Sequence, residues 1–539
     1  MVNAPAPAFR TVTLRPAASR AGADRLAEVL PRILASGSDG RIALDAGGRN
    51  GYGCRALPCP QALAFSSSTA STISARAFAA AEAAYKALFV AAADRGFASA
   101  FEAATERLRE ELRTLLELDA CDADIVLSAS GTDSGIHALH LLQAACGRAL
   151  VSIVVAPEET GSGVPLAAAG RHFSNAASSG SKVTRGAAIA GMAGIDTVLV
   201  PSQDAGGARP PARIDADIRA AVARAISAGR GAVLHVMHHS KIGTRAPGAA
   251  LLAELRGAHG ANVQFVLDAC QFRLSRRDLR AYLDAGFLVL VTGSKFFAGP
   301  PLSGATLVPA SFRARLRATA VPAGLADYVT GYDWPLRFGG IRAQLPRREN
   351  LGQYLRWVAA AAEMRAYFEV PEPCRRLALT EFSQAAQSAI GGRPGLALLP
   401  APAWCAQAGA DDEFGVRSVF PFLVRVGGRY ATPAESRVIY RALNDDVGGL
   451  LRCDTSLHAR LAATLCHVGQ PVAVRHEGME AGALRVSADA RLVSECFAGA
   501  DMGEALAALR AKTAQLDIVL DKAEWLAANL EALLPFYGD

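Results

Sequence analysis

Seven short β-rich runs, separated by helical or loop segments, occupy the chain between residues 124 and 308. They lie at 125–127, 150–155, 197–200, 233–237, 264–267, 287–292 and 305–308. Most of their residues are apolar, as in strands whose two faces are both covered. The alternation of such strands with helices predicts an α/β fold built on a large, mostly parallel, seven-stranded sheet.

The other segments divide the chain around this sheet. We predict an N-terminal segment at 1–64, a large domain at 65–325, a connecting loop at 326–350 and a smaller C-terminal α/β domain at 351–539. The first 20 or so residues are expected to form a loose leader, and the rest of the N-terminal segment to pack on the small domain and the functional site. Strands of the small domain are predicted at 420–426 and 483–487.

Composition argues against two classes of function. The net charge of +6 is spread over 56 basic and 50 acidic residues, and because no basic block occurs, nucleic-acid binding is not indicated. No stretch reaches about 18 uninterrupted apolar residues, so no membrane span is expected. The ten cysteines form no CxxC pair and are expected to be buried thiols of a reducing compartment, which predicts a cytoplasmic protein.

Lysine is scarce in this chain. Of the 56 basic residues only six are lysines, namely Lys86, Lys182, Lys241, Lys295, Lys512 and Lys522. Only Lys241 and Lys295 follow strand-like runs and precede glycine turns, which is a position where side chains can contact a ligand. Any amine that forms an imine with a ligand is therefore expected to be one of these two.

The first predicted strand is followed by a glycine turn and hydroxyl residues, Ser128-Ala129-Ser130-Gly131-Thr132, before an amphipathic helix. A helix that begins there directs free backbone N–H groups and a partial positive charge at an anion. Gly131 permits close approach of an anion to the backbone, so we expect a phosphate to bind there. An ordinary helix N-cap is the alternative interpretation.

Asp268 and Lys295 end two consecutive predicted strands. An unpaired carboxylate at the end of a buried strand is costly, but one paired with a protonated pyridine nitrogen stays ionised. Capping of a following helix by Asp268 is the alternative. Lys295 lies between Thr292-Gly293-Ser294 and Gly299-Pro300-Pro301, next to Phe296 and Phe297, and this apolar setting favours the neutral, nucleophilic amine.

The order of these motifs supports a resemblance to a known family. The strings Leu267-Asp268-Ala269-Cys270-Gln271 and Thr292-Gly293-Ser294-Lys295-Phe296 resemble the signature of fold-type I pyridoxal-phosphate enzymes. The nearest group is the class V aminotransferases, which includes cysteine desulfurases, selenocysteine lyases and kynureninases. The resemblance implies pyridoxal 5'-phosphate as cofactor and a homodimer with active sites at the subunit interface.

The resemblance also implies roles for residues of the large domain. Lys295 forms the Schiff base, Asp268 pairs with the pyridine nitrogen and Gln271 binds the ring oxygen. Gly131 and Thr132 hold the phosphate.

Further positions follow from the same resemblance. Ser240, in a segment that ends in a Gly-Thr turn, and Ser294 are assigned to the cofactor, and Arg485 to the substrate α-carboxylate, which a guanidinium binds bidentately. Tyr332, Trp334 and Asn350 are candidates for contacting the neighbouring subunit's cofactor.

Two departures from the family pattern concern the ring and a cysteine. Residues 157–162 stand where the family presents an aromatic ring or histidine to stack on the cofactor, and Glu158, Glu159 and Thr160 cannot stack as a ring does. Cys466 lies two residues before the position of the desulfurase cysteine. We therefore expect Cys466 to be a buried thiol, and no metal site with His467, because a second ligand pair is missing.

The predicted activity is that of a pyridoxal-phosphate enzyme acting on a small α-amino acid. An aminotransferase ranks first, and a C–S or C–C lyase of the desulfurase or kynureninase type ranks second. A protein of this fold that binds the cofactor or another ligand without turnover is the alternative of a different class.

Overall fold

The structure is a computed structural model that describes residues 28–192, 194–316, 319–406, 412–497, 499 and 501–538. The predicted leader at the start of the chain lies outside these residues. Among the helices of the described part, none combines the length and the apolar character needed to cross a bilayer.

All seven predicted strands of the large domain are present in one sheet. They are β1 (Asp124–Ser128), β2 (Leu150–Val155), β3 (Asp196–Val200), β4 (Gly231–His238), β5 (Val263–Asp268), β6 (Leu288–Thr292) and β7 (Gly304–Val308). Their order across the sheet is β1-β7-β6-β5-β4-β2-β3. Only β7 runs antiparallel to its neighbours on this path, and the short strand Arg245–Ala246 adds to β4. The predicted α/β class with a mostly parallel sheet is confirmed.

Helices cover both faces of this sheet. They are Ala75–Arg95, Phe97–Leu115, Gly131–Cys146 (α1), Val164–Ala168, Pro211–Ser227, Ala249–His259, Arg276–Asp284, Arg313–Leu316, Gly339–Arg342 and Leu351–Phe368. Along β1, Ile125 and Leu127 join one apolar cluster and Val126 joins another. Successive side chains of a strand point to opposite faces, so the two clusters are the cores on the two sides of the sheet.

A second sheet is formed mainly by the C-terminal part of the chain. Its strands are, in order across the sheet, Leu63–Phe65, Cys466–His476, Met479–Ser487, Val419–Val426 and Leu396–Leu398, with Arg429–Tyr430 added to Val419–Val426. Its helices are Glu372–Gly391, Pro433–Leu443, Ser456–Ala463, Ala490–Phe497, Met502–Ala528 and Leu530–Tyr537. Because Leu63–Phe65 pairs in parallel with Cys466–His476, the N-terminal segment joins the C-terminal sheet.

The stretch between the two sheets corrects one expectation. Trp334 is 0% exposed and stacks at 6.5 Å on His137, while Tyr332 packs edge-on against Phe101. Asn350 caps Leu351–Phe368 by accepting the Gln353 N–H at 3.1 Å. The expected contact of Tyr332 and Trp334 with a neighbouring subunit's cofactor is wrong, because the two rings are enclosed by their own chain. The same expectation for Asn350 stays a prediction.

Candidate active site

A pocket of about 360 Å³ lies where the carboxyl ends of β4, β5 and β6 meet the second sheet. Every residue predicted for the site lines it: Gly131, Thr132, Ser240, Asp268, Gln271, Ser294, Lys295 and Arg485. Its volume falls within the range of small-molecule sites, which is about 300–1,000 Å³.

Asp268 lies at the centre of this strand edge. In the parallel register it stands opposite Leu290 of β6 and Met237 of β4. The Cys270 N–H donates to Asp268 Oδ1 at 3.1 Å, which orients the carboxylate. The alternative that Asp268 caps a helix is wrong, since the next α-helix, Arg276–Asp284, is capped by Ser275.

The turn after β6 fixes the backbone of Lys295. The Lys295 carbonyl accepts the Ala298 N–H at 2.8 Å, and Phe296 is fully buried, edge-on to Tyr367. A Cβ on Gly293 would lie 2.5 Å from the Ala360 Cβ, so only glycine allows the helix Leu351–Phe368 to pack this closely. Within the described residues the Lys295 amine has no hydrogen-bond partner, so it is available to a ligand.

The N-terminus of α1 forms another wall of the pocket. Ser130 is the N-cap and accepts the Asp133 N–H at 3.2 Å, so the N-cap interpretation is correct for Ser130. The N–H groups of Gly131 and Thr132 come before this bond and have no partner within the helix. A Cβ at Gly131 would lie 2.7 Å from the Cys270 Sγ, so the close packing here requires glycine. The helix end therefore keeps the form of an anion site.

Asp133, directly behind this helix end, is a carboxyl that the sequence interpretation passed over. It is fully buried, and its two oxygens accept hydrogen bonds from the hydroxyls of Ser130 and Ser178. Burial, followed by the charge of Asp39, raises the pKa of Asp133 to about 6. The Asp133 carboxyl therefore stabilises the N-terminus of α1 through its hydrogen bond with the N-cap residue Ser130.

Three buried polar atoms of pocket residues have no hydrogen-bond partner in the described part of the chain. They are Ser68 Oγ, Gln271 Oε1 and His239 Nδ1. The Gln271 amide nitrogen donates to the Ser68 carbonyl at 2.9 Å, which holds the side chain against the pocket. An unsatisfied buried polar atom costs about 1–3 kcal/mol, so a polar ligand in this pocket would be stabilised where it supplies partners to these atoms.

Arg485 is 1% exposed and lies at the second-sheet side of the pocket. Its guanidinium donates to the Gln470 carbonyl at 3.1 Å, the Lys241 carbonyl at 3.2 Å and the Thr69 hydroxyl at 2.7 Å. No carboxylate of the described residues lies within ion-pair distance, and burial lowers the pKa of Arg485 to about 9. Every guanidinium nitrogen already donates to a neutral acceptor, the Ser68 carbonyl at 3.4 Å included. An anionic ligand would therefore compensate the buried charge of Arg485 and would have to replace some of these acceptors.

The segment at 157–162 enters the pocket with polar groups. Glu159 is 2% exposed, its carboxyl accepts hydrogen bonds from the hydroxyls of Ser202 and Ser240, and burial raises its pKa. The Ser240 hydroxyl also accepts the Thr244 N–H at 2.9 Å, so this side chain mainly holds its own turn. The aromatic rings that line the pocket come from other elements: Tyr52, His235 and His239.

Two pocket residues from the N-terminal segment, Arg41 and Tyr52, were missed by the sequence interpretation. Arg41 forms a two-point ion pair with Asp39 at 2.8 and 2.6 Å and donates to the Ser130 hydroxyl at 3.2 Å. No periodic or motif signal distinguishes Arg41 from the other arginines, because its place depends on how the segment folds back onto α1.

Cys466 lies outside the pocket, in the strand that pairs with Leu63–Phe65. It is fully buried, and burial raises the pKa of its thiol to about 11, which disfavours the thiolate that a persulfide-forming nucleophile requires. All ten cysteines are free thiols.

No family model matches the chain, and no curated protein matches it. Among solved structures, a cystine C-S lyase in complex with cysteine persulfide matches at 15% identity, covering 84% of this chain and 98% of that one, with a TM-score of 0.47. The cysteine desulfurase CsdA from Escherichia coli matches at 13% identity, with coverages of 86% and 95% and a TM-score of 0.46. A TDC from Oryza sativa with pyridoxal phosphate matches at 14% identity, with coverages of 85% and 84% and a TM-score of 0.45. At such low identities the chemistry of the pocket has to be inferred from its own side chains.

Proposed function

We propose that this protein is a pyridoxal 5'-phosphate-dependent enzyme that acts on an α-amino acid as an aminotransferase. One observation carries the proposal: an unpaired lysine amine, a strand-end carboxylate, a helix N-terminus and a buried guanidinium all line one pocket. These groups match the aldehyde, pyridine nitrogen and phosphate of the cofactor and the carboxylate of an amino acid.

The residues present fit the cofactor. The N–H groups of Gly131 and Thr132 would hold the phosphate, Asp268 the protonated ring nitrogen, and Lys295 the aldehyde carbon. Gln271 lines the same pocket, and its side-chain NH2, which donates one N–H to the Ser68 carbonyl, would donate the other to the ring oxygen. When bound there, pyridoxal phosphate supplies an electron sink for the bond broken at the substrate Cα.

The chain's own groups would then have four roles. Arg485 binds the α-carboxylate and so orients the Cα–H bond. Lys295 would take the proton from Cα as a general base. It would then deliver that proton, as a general acid, to the former aldehyde carbon of the cofactor. Asp268 holds the proton on the ring nitrogen. The second sheet and the N-terminal segment, which carries Arg41 and Tyr52, shield the site from water.

Reduction with borohydride and peptide mapping test the assignment of the lysine. Purified protein incubated with pyridoxal phosphate should give a visible absorbance band and a reduced adduct on Lys295. Lys241, the other lysine of the pocket, is the internal control, and an adduct there or on no lysine would overturn the proposal.

A panel of amino acids tests the reaction type. Conversion of the bound cofactor to its amine form with release of a keto acid is the result expected of an aminotransferase. Release of ammonia, sulfide or alanine without that conversion would make the protein a lyase, and an adduct without any turnover would make it a binding protein. The homodimer implied by the family resemblance is part of the proposal, and light scattering that gives a monomer mass would contradict it.

A further inference from the structure

A second lysine amine, that of Lys241, lies in the same pocket as Lys295. It belongs to the turn after β4, where its N–H donates to the Glu159 carbonyl at 3.3 Å and its carbonyl accepts from Arg485 at 3.2 Å. Its Nζ donates to the Thr160 carbonyl at 2.5 Å. Lys241 is thus held beside the group proposed to bind the α-carboxylate.

The charged groups that face Lys241 are mostly positive. Arg485, Lys295 and Arg41 line the same pocket and act on it as cations, and Asp268 is the carboxylate that acts on it. Burial first, and then these cations, lower the pKa of Lys241 to about 7. No carboxylate of the described residues lies within ion-pair distance of its amine.

The carboxylates of the pocket region already have other partners. Asp39 pairs with Arg41, and Glu159 accepts from two serine hydroxyls. Asp268 faces the ring nitrogen in the proposed function. A ligand with one carboxylate would compensate the charge of Arg485 and leave the Lys241 amine with only the Thr160 carbonyl as partner.

We propose that Lys241 binds a second negatively charged group on the substrate, so that the pocket selects amino acids with a short acidic side chain over their neutral analogues. The inference rests on the proposed function, because Arg485 must take the α-carboxylate. An ammonium group is a compact point charge that donates to carboxylate oxygens in many geometries, which suits it to a side-chain anion.

Isothermal titration calorimetry of the cofactor-loaded protein tests this selectivity by measuring the Kd for matched pairs of ligands. L-aspartate and L-asparagine, and L-glutamate and L-glutamine, have the same shapes and differ in side-chain charge. At least one acid should bind about 10- to 100-fold tighter than its amide, as expected for a hydrogen bond between charged groups.

Variants assign the preference to Lys241. In Lys241→Met the acid and the amide should bind within about 3-fold of each other, whereas Lys241→Arg should keep part of the preference. Lys522→Met is the matched control, because Lys522 is a buried lysine that donates to backbone carbonyls in the C-terminal part of the chain. This control should keep the full preference.

The outcomes separate the two proposals. Equal binding of acid and amide by the wild-type protein, or a preference that survives Lys241→Met, overturns this inference while leaving the proposed function intact. Absence of a reduced adduct on Lys295 in the same preparation overturns the proposed function and this inference with it.

Discussion

The turn that carries Lys295 follows β6, and the turn that carries Lys241 follows β4 of the same sheet. Both lysines line one pocket, but different kinds of contact hold the two turns. The Lys295 turn is held by apolar packing, with Phe296 buried and Gly293 closely packed against Ala360. The Lys241 turn is held by the polar pair of Ser240 and Glu159. Apolar packing fixes a backbone while leaving the amine unpaired, as covalent chemistry requires. A polar turn beside a cationic neighbour instead suits reversible binding of an anion.

The largest expected effect separates the two amines. Lys295→Ala should abolish the visible adduct band and lower turnover by about 100- to 10,000-fold, because it removes both the imine-forming amine and the general base. Lys241→Ala should keep the band and lose affinity for acidic ligands. Absorbance spectra and turnover assays of the two variants check this, and a Lys241→Ala protein without the band would contradict the division of roles.

Much of this arrangement could be predicted from sequence. The strands were predictable because each is an apolar run, and Asp268 and Lys295 stood out as charged residues at the ends of such runs. The strand Cys466–His476 was missed because Pro471 argues against a strand. In the structure a register shift between Gly469 and Val472 accommodates the proline.

Other features depended on tertiary contacts that no local pattern reports. Arg41 reaches the pocket only because the N-terminal segment folds back onto α1. Trp334 lies in a stretch rich in Gly and Pro, which predicted a connecting loop, yet its ring is fully buried in the core on one side of the sheet. Side chains in irregular segments are therefore the ones that sequence patterns place least well.

Arg485 links the two turns, because it donates to the Lys241 carbonyl and faces the same pocket. Arg485→Lys should raise the KM for every amino acid by about 10- to 100-fold, since lysine lacks the planar fork of donors. Arg273→Lys is the control: Arg273 is fully buried, donates to the Ala488 carbonyl at 3.0 Å and lies outside the pocket lining. Equal KM changes in both variants would show a general packing defect instead of substrate binding.

The apolar construction of the Lys295 turn predicts sensitivity to a single methyl group. Gly293→Ala should destabilise the protein by about 1–3 kcal/mol, because the added Cβ would lie 2.5 Å from that of Ala360. Gly257→Ala is the matched control, since a Cβ there meets nothing within 4 Å in the helix Ala249–His259. Thermal unfolding of both variants measures the difference, and an unchanged Tm for Gly293→Ala would show that the turn is not tightly packed.

The smallest expected effect is the part of the pH dependence of acidic-ligand affinity that comes from Lys241. Because the pKa of Lys241 is lowered to about 7, its amine is charged below that pH and loses the proton as the pH rises. Affinity for an acidic amino acid should therefore fall by up to about tenfold per pH unit above the pKa of the ligand-free protein. The fall should level off above the pKa of the complex, which the bound anion raises. Titration of L-aspartate between about pH 6 and 9, a range that spans the lowered pKa of Lys241, measures the slope. The same titration of Lys241→Met should show a weaker slope, and equal slopes in the two proteins would assign the titrating group to another residue.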